Sequence, residues 1–242
     1  MSSDRPPASR PPKGGLAGTT SRSEIDAFLQ RARTLAPLVA PGTRGRLLFA
    51  LDATLSRQPT WDIACALQAD MFREAAAIGG LDVQLIYYRS LTECRASPWV
   101  ADAGRLAKLM SNIDCRGGHT QIRKVLAHAR RETAQQKIQA LVFIGDAMEE
   151  AVDDLCASAG ELGLLGVPAL MFQEGEDAIA ERAFREIARL TRGAYCRFDA
   201  GAAETLRELL RAAAVYAAGG LRALNSDASR SHGARLLLQQ LG

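Results

Sequence analysis

From Arg46 onward, short continuous apolar runs alternate with longer stretches in which apolar residues recur every three or four positions. Leu47 to Leu51 is the first run, unbroken by polar residues, as in a strand buried on both faces. Pro59 to Ile78 then reads as a helix, with Ile63, Leu67, Met71, Ala75 and Ile78 on one face and Gly79-Gly80 beyond its end. "LDVQLIYYR" (81–89) is the next strand, and the short polar stretch 90–99, closed by Pro98, predicts an edge strand. Val100 to Ile113 predicts a helix with Leu106, Leu109 and Met110 facing the core. After the glycine-containing loop "DCRGGHT" (114–120), Ile122, Val125, Leu126 and Ala129 mark another helix. Strands follow at 139–146, 166–172 and 194–198, and helices near 149–163, 179–192 and 203–218.

This alternation predicts an α/β fold: a doubly wound, mostly parallel central sheet of about six strands with helices on both faces. Ligands of such sheets bind at the carboxyl ends of the strands, near the reversal in strand order. Asp52 and Asp146 both end predicted strands at that edge. The loop holding Thr120 joins them if the helix after it packs beside the first strand.

The flanks differ from this core. Residues 1–20 are rich in Pro, Gly, Ser and Thr and predict a disordered tail. Ser21 and Glu24 match a capping box, so residues 21–44 predict an N-terminal helix and linker, ended by Pro37 and Pro41. Residues 45–220 form the predicted domain and 221–242 a C-terminal extension with helical patterning. There Leu236, Leu237, Leu238 and Leu241 suit packing against the domain better than binding a partner.

Charge changes the picture little. Arg5, Arg10, Lys13 and Arg22 against Asp4 account for the whole net charge of +3, leaving 26 basic and 26 acidic residues in the rest. No basic folded face is implied, so nucleic acid is not an expected partner. Five cysteines, Cys65, Cys94, Cys115, Cys156 and Cys196, form no CxxC pair and are expected as buried free thiols of a reducing compartment. With no secretory signal or membrane-spanning run evident, a cytoplasmic location is expected and no membrane partner.

The candidate chemistry lies in three places: Asp52-x-Thr54-x-Ser56 after the first strand, Thr120 in "GGHT", and Asp146 after "VFIG". In this order and on these elements, the set resembles the metal-ion-dependent adhesion site of von Willebrand factor type A domains, and the likeness extends over 46 to about 219. The resemblance implies one short antiparallel edge strand after 81–89. It also implies that Thr54, Ser56 and Thr120 touch the metal while Asp52 and Asp146 act largely through water. One coordination position would be left for a carboxylate from a partner protein with an exposed Asp or Glu. Intracellular members of the family often serve in multiprotein assemblies, frequently with ATPases. Every donor is an oxygen, which suits Mg²⁺, with Mn²⁺ and Ca²⁺ as alternatives. Two features depart from the family pattern: Thr54 stands for the usual serine, and "FIGDAME" for the more usual Thr-Asp-Gly.

Other readings stay open at this point. Asp52, Thr54 and Ser56 are also turn formers, and Thr120 could be only a helix N-cap. His119 reads as a loop residue. Glu149, Glu150, Asp153 and Asp154 suit a helix N-terminus or an acidic rim. "FALDATLS" and "VFIGDAMEE" also resemble haloacid-dehalogenase-like phosphohydrolases, with Asp52 as nucleophile and Asp146 on Mg²⁺. That chemistry needs an acid at position 54, where a threonine cannot protonate a leaving group. A scaffold domain with a vestigial metal site is the third reading.

Overall fold

A computed structural model describes residues 44–76, 78–199 and 202–241. The tail predicted over 1–20 and nearly all of the helix and linker predicted over 21–44 lie outside the described residues.

Strand β1 (Gly45–Asp52) is buried at every position, as its unbroken apolar run requires. It pairs in parallel with β2 (Leu81–Arg89) on one side and β4 (Ala140–Gly145) on the other. Strand β3 (Glu93–Ala96) runs antiparallel to β2, while β5 (Ala169–Glu174) and β6 (Ala194–Phe198) extend the parallel sheet beyond β4. The order is β3-β2-β1-β4-β5-β6. The chain therefore winds outward in one direction from β1 and in the other from β4, and the reversal falls between these two strands.

Side chains alternate across the sheet and build two cores. Leu47, Phe49 and Leu51 pack with helices α1 (Gln58–Ala76), α2 (Ala103–Met110) and α6 (Ala203–Asp227). Leu48 and Ala50 pack with α3 (Ile122–Gln135), α4 (Val152–Leu164) and α5 (Ala178–Thr191) on the other face. This is the doubly wound α/β fold that the periodicity predicts.

Several element bounds move, among them the strand predicted over 166–172, which runs Ala169–Glu174. The helix predicted over 100–113 is confined to α2, because Val100 bridges to Val83 and Asp102 caps the helix. The helix predicted from 149 begins at Val152, with Glu149 and Glu150 held in the preceding loop by other partners. The helix predicted to stop at Ala218 continues to Asp227 through a kink at Gly220, whose φ of 66° favours glycine. Helix α7 (His232–Leu241) then returns along α6 and β6, with Leu237 fully buried and Leu236, Leu238 and Leu241 against the same core. From α7 the Gln240 amide accepts from the Tyr195 backbone N–H at 2.7 Å and donates to its carbonyl at 2.6 Å. A side-chain amide thus occupies the outer edge of β6, where another strand could otherwise pair.

All five cysteines are free thiols. Among the described residues, no helix is long and apolar enough to cross a membrane.

Candidate metal centre

Strands β1 and β4 end side by side, with Leu51 in register with Ile144, so the residues that follow each strand share one edge. Asp52 is the last residue of β1 and is 3% exposed. Its Oδ1 accepts the Thr54 backbone N–H at 2.8 Å, the bond expected of a turn-forming aspartate. The two hydroxyls behave otherwise. Thr54 precedes a single 3₁₀ turn, Leu55–Arg57, yet its side chain caps nothing there. Its Oγ1 lies 3.3 Å from Ser56 Oγ, and Ser56 Oγ donates to Asp146 Oδ2 at 2.9 Å. Thr54, Ser56 and Asp146 therefore form one hydrogen-bonded chain across the gap between β1 and β4, with Asp52 beside it.

Thr120 makes no bond to this group and is tied instead to the loop that follows Asp146. Its hydroxyl accepts the Glu149 backbone N–H at 3.0 Å, and its own N–H donates to Glu149 Oε2 at 3.1 Å. His119 Nδ1 lies 3.0 Å from the same carboxylate oxygen. Thr120 is not the cap of its helix. Gln121 holds the N-cap position without a side-chain bond, and the first amides of α3, Ile122 and Arg123, donate to the Glu150 carboxylate. The loop after Asp146 thus clamps the loop of Thr120. Asp153 and Asp154 lie in the first turn of α4, as a helix N-terminus favours.

Burial is the main force on Asp52. It pushes the carboxyl up to about 6, with the charge of Asp146 adding to the rise and hydrogen bonding from Thr54 opposing it. Tyr88, in register with Asp52 on β2, is fully buried; its hydroxyl lies beside the Asp52 carboxylate, close enough to oppose the rise there, without completing a hydrogen bond. Burial and then the Asp52 charge push that phenol well above its ordinary value. Burial also raises Glu150, against the two amides it accepts. A buried, under-compensated carboxylate is the environment a cation would relieve.

The oxygens of Asp52, Thr54, Ser56, Thr120 and Asp146 suit a hard dication such as Mg²⁺, through direct contact or bound water. Among the described residues, no three His, Cys, Asp or Glu side chains are grouped to hold a metal, so a metal here depends on the hydroxyls.

Arg57 is the largest feature absent from the sequence reading. It is 2% exposed, its Nη1 lies 3.7 Å from Asp146 Oδ2, and its Nη2 bonds Glu174 Oε2, which Thr60 Oγ1 also bonds. Glu174 closes β5 at the same sheet edge, so a third strand-terminal acid was the available signal. Nothing in the chain near Arg57 announced its burial.

Gly118 sets the approach of the Thr120 loop. A Cβ there would lie 2.2 Å from the Ser90 carbonyl oxygen and 2.4 Å from its nitrogen. Ser90 itself has a φ of 55° and accepts from His119 N–H at 3.3 Å. Gly118→Ala is expected to push the loop off Ser90 and to destabilise by about 1–3 kcal/mol, as overpacking does; urea unfolding checks this, and a change under a few tenths would show the loop to be free to shift.

No protein-family model matches the chain, and no curated protein matches it by sequence. Solved structures do. The aerotolerance-related membrane protein from Bacteroides fragilis, in a form with multiple serine mutations, is 18% identical with a TM-score of 0.54, over 70% of this chain and 98% of that one. A von Willebrand factor type A protein from Catenulispora acidiphila is 18% identical with a TM-score of 0.56, over 72% of this chain but only 43% of its own. The VWA domain of SpRpn10 is 11% identical with a TM-score of 0.56, over 74% of this chain and 98% of that one. At these identities the likeness is one of fold, and the fold of this chain is that of a von Willebrand factor A-like domain.

Proposed function

We propose that the chain is a Mg²⁺-dependent protein-interaction module that takes a partner's carboxylate at a metal held by Asp52, Thr54, Ser56, Thr120 and Asp146. The observation that carries this reading is the run from Thr54 through Ser56 to Asp146, in which both hydroxyls turn away from their own backbone. With a metal bound, Thr54, Ser56 and Thr120 would present neutral oxygens and Asp52 and Asp146 would balance its charge. Weak neutral donors leave the ion electron-poor and ready for an added carboxylate. The VWA-like fold is consistent with an interaction domain. The free thiols favour the cytoplasm, and a multiprotein assembly is the setting we infer. Catalysis is not part of this reading: position 54 has no acid for the phosphohydrolase step.

Thermal melting in EDTA and in excess Mg²⁺ tests it. At a hundredfold over its dissociation constant a ligand adds about 2.7 kcal/mol. For a chain of this size that is roughly 5–10 °C. The wild type is expected to show this rise and Thr120→Ala to lose it. A rise that survives the substitution would favour a site resting on the aspartates alone, as in the phosphohydrolase reading. No rise in either protein would favour the vestigial site.

A further inference from the structure

We propose that the groove between β3 and α3 docks an extended acidic peptide of a partner protein, which pairs with the outer edge of β3. The site is separate from the metal centre and does not rest on it.

The groove has a volume of about 300 Å³, with Ile86, Cys94, Ala96 and Ala127 giving it an apolar floor and wall. Its charged lining comprises Arg95 from β3, which is ion-paired to Glu93 at 3.1 Å, and Lys124 and Arg131 from α3, with His128 between them and bonded to Gln84 at 2.8 Å. Positions 124, 128 and 131 recur at helical spacing, so these side chains form one stripe along α3. The other cations of α3 are spent on α4, with Arg123 paired to Asp154 at 3.3 Å and Arg130 paired to Glu161. Lys124 and Arg131 have no acidic partner among the described residues; Lys124 Nζ donates only to the Thr92 carbonyl and the Gln121 amide oxygen. The charge of Lys124 and Arg131 is therefore left for a ligand.

The floor supplies the second half of the argument. Strand β3 ends the sheet, and among the described residues only β2 pairs with it. The opposite edge, at β6, is closed by Gln240, whereas among the described residues the one side chain that bonds the β3 backbone is Gln121, at the Glu93 carbonyl (3.2 Å), leaving the rest of that strand's outer edge uncovered. A bare edge offers backbone N–H and C=O groups to an incoming extended chain. Such a chain would carry a side chain toward α3 at every second residue, about 6.6 Å apart, within the sweep of long Lys and Arg side chains. Acidic residues at those positions would meet Lys124 and Arg131, while β-branched residues between them would face the other side of the sheet and favour the extended backbone.

The test is fluorescence anisotropy with a labelled ten-residue peptide alternating glutamate with valine and threonine, titrated with the full chain in EDTA. EDTA removes any binding of carboxylates through a metal, so failure here is distinct from failure of the metal centre. Lys124→Glu/Arg131→Glu is expected to weaken binding at least tenfold while melting as the wild type does, since both residues are exposed. A control peptide of equal charge with two prolines in place of valine should also bind at least tenfold more weakly, because proline removes ladder donors. Equal binding by the double variant overturns the proposal. Equal binding of the proline peptide overturns it too, reducing the groove to a charged patch, as does tighter binding of an oligothymidylate of the same length.

Discussion

Arg57→Met is expected to lower the unfolding free energy by about 3–5 kcal/mol, the cost of leaving a buried charge without its partner. Arg57 is 2% exposed and Glu174 7% exposed, so neither is screened by water as a surface pair would be. Without the guanidinium, Glu174 keeps only the Thr60 hydroxyl, and Asp146 loses the cation 3.7 Å from its Oδ2. For a chain of this size the melting temperature should fall by about 6–20 °C, at roughly 2–4 °C per kcal/mol. Denaturant unfolding gives the free energy directly. The double variant Arg57→Met/Glu174→Leu should recover most of the loss, because a packed apolar pair of similar volume removes both desolvation penalties. A loss below about 1 kcal/mol in the single variant, or no recovery in the double, would mean that the pair is hydrated in solution.

That ion pair also marks the limit of what the chain discloses by itself. The strands were legible because each is an apolar run of strand length, and β1, β4 and β5 are buried at every position. Asp52 and Asp146 were placed at one edge by a topological rule, without any knowledge of side-chain contacts. What stayed hidden depends on contacts between residues far apart in sequence. Arg57 meets Glu174 over 117 positions, and Glu150 caps the amides of α3 from 28 positions away. A buried arginine has the same local signature as a surface one. For Thr120 the metal-site reading and the helix-cap reading stay open in the sequence; the cross-loop exchange with Glu149 and the N-cap at Gln121 remove the cap. Helix ends moved for similar reasons: Glu149 and Glu150 suit a helix N-terminus by composition, but the bonds they make to the Thr120 loop hold them outside it.

Asp52→Asn is expected to stabilise the metal-free protein at pH 7 by about 2–3 kcal/mol and to abolish its response to Mg²⁺. The folded protein holds the Asp52 carboxyl up at about 6, against an ordinary 3.8, chiefly through burial. Between those two values the folded state keeps a proton that the unfolded chain has released. Stability therefore falls as pH rises from about 4 to about 6 and stays lowered above that, by about 1.4 kcal/mol per unit of separation. Asparagine removes the titration but keeps an oxygen for the Thr54 N–H, and its NH₂ offers a donor to the Tyr88 hydroxyl beside it. The advantage of the variant should thus be near zero at pH 3.5, grow through pH 4–6 and level off by pH 7. Urea unfolding in EDTA across that range measures it. Excess Mg²⁺ at pH 7 should stabilise the wild type alone and so close the gap, because the dication needs the ionised carboxylate that burial disfavours. A residue that weakens the metal-free fold and strengthens the metal-bound one is kept for binding, as destabilised functional sites commonly are. A difference between the two proteins that does not vary with pH would remove the buried carboxylate as its cause, and with it the strongest electrostatic argument for a cation at this edge of the sheet.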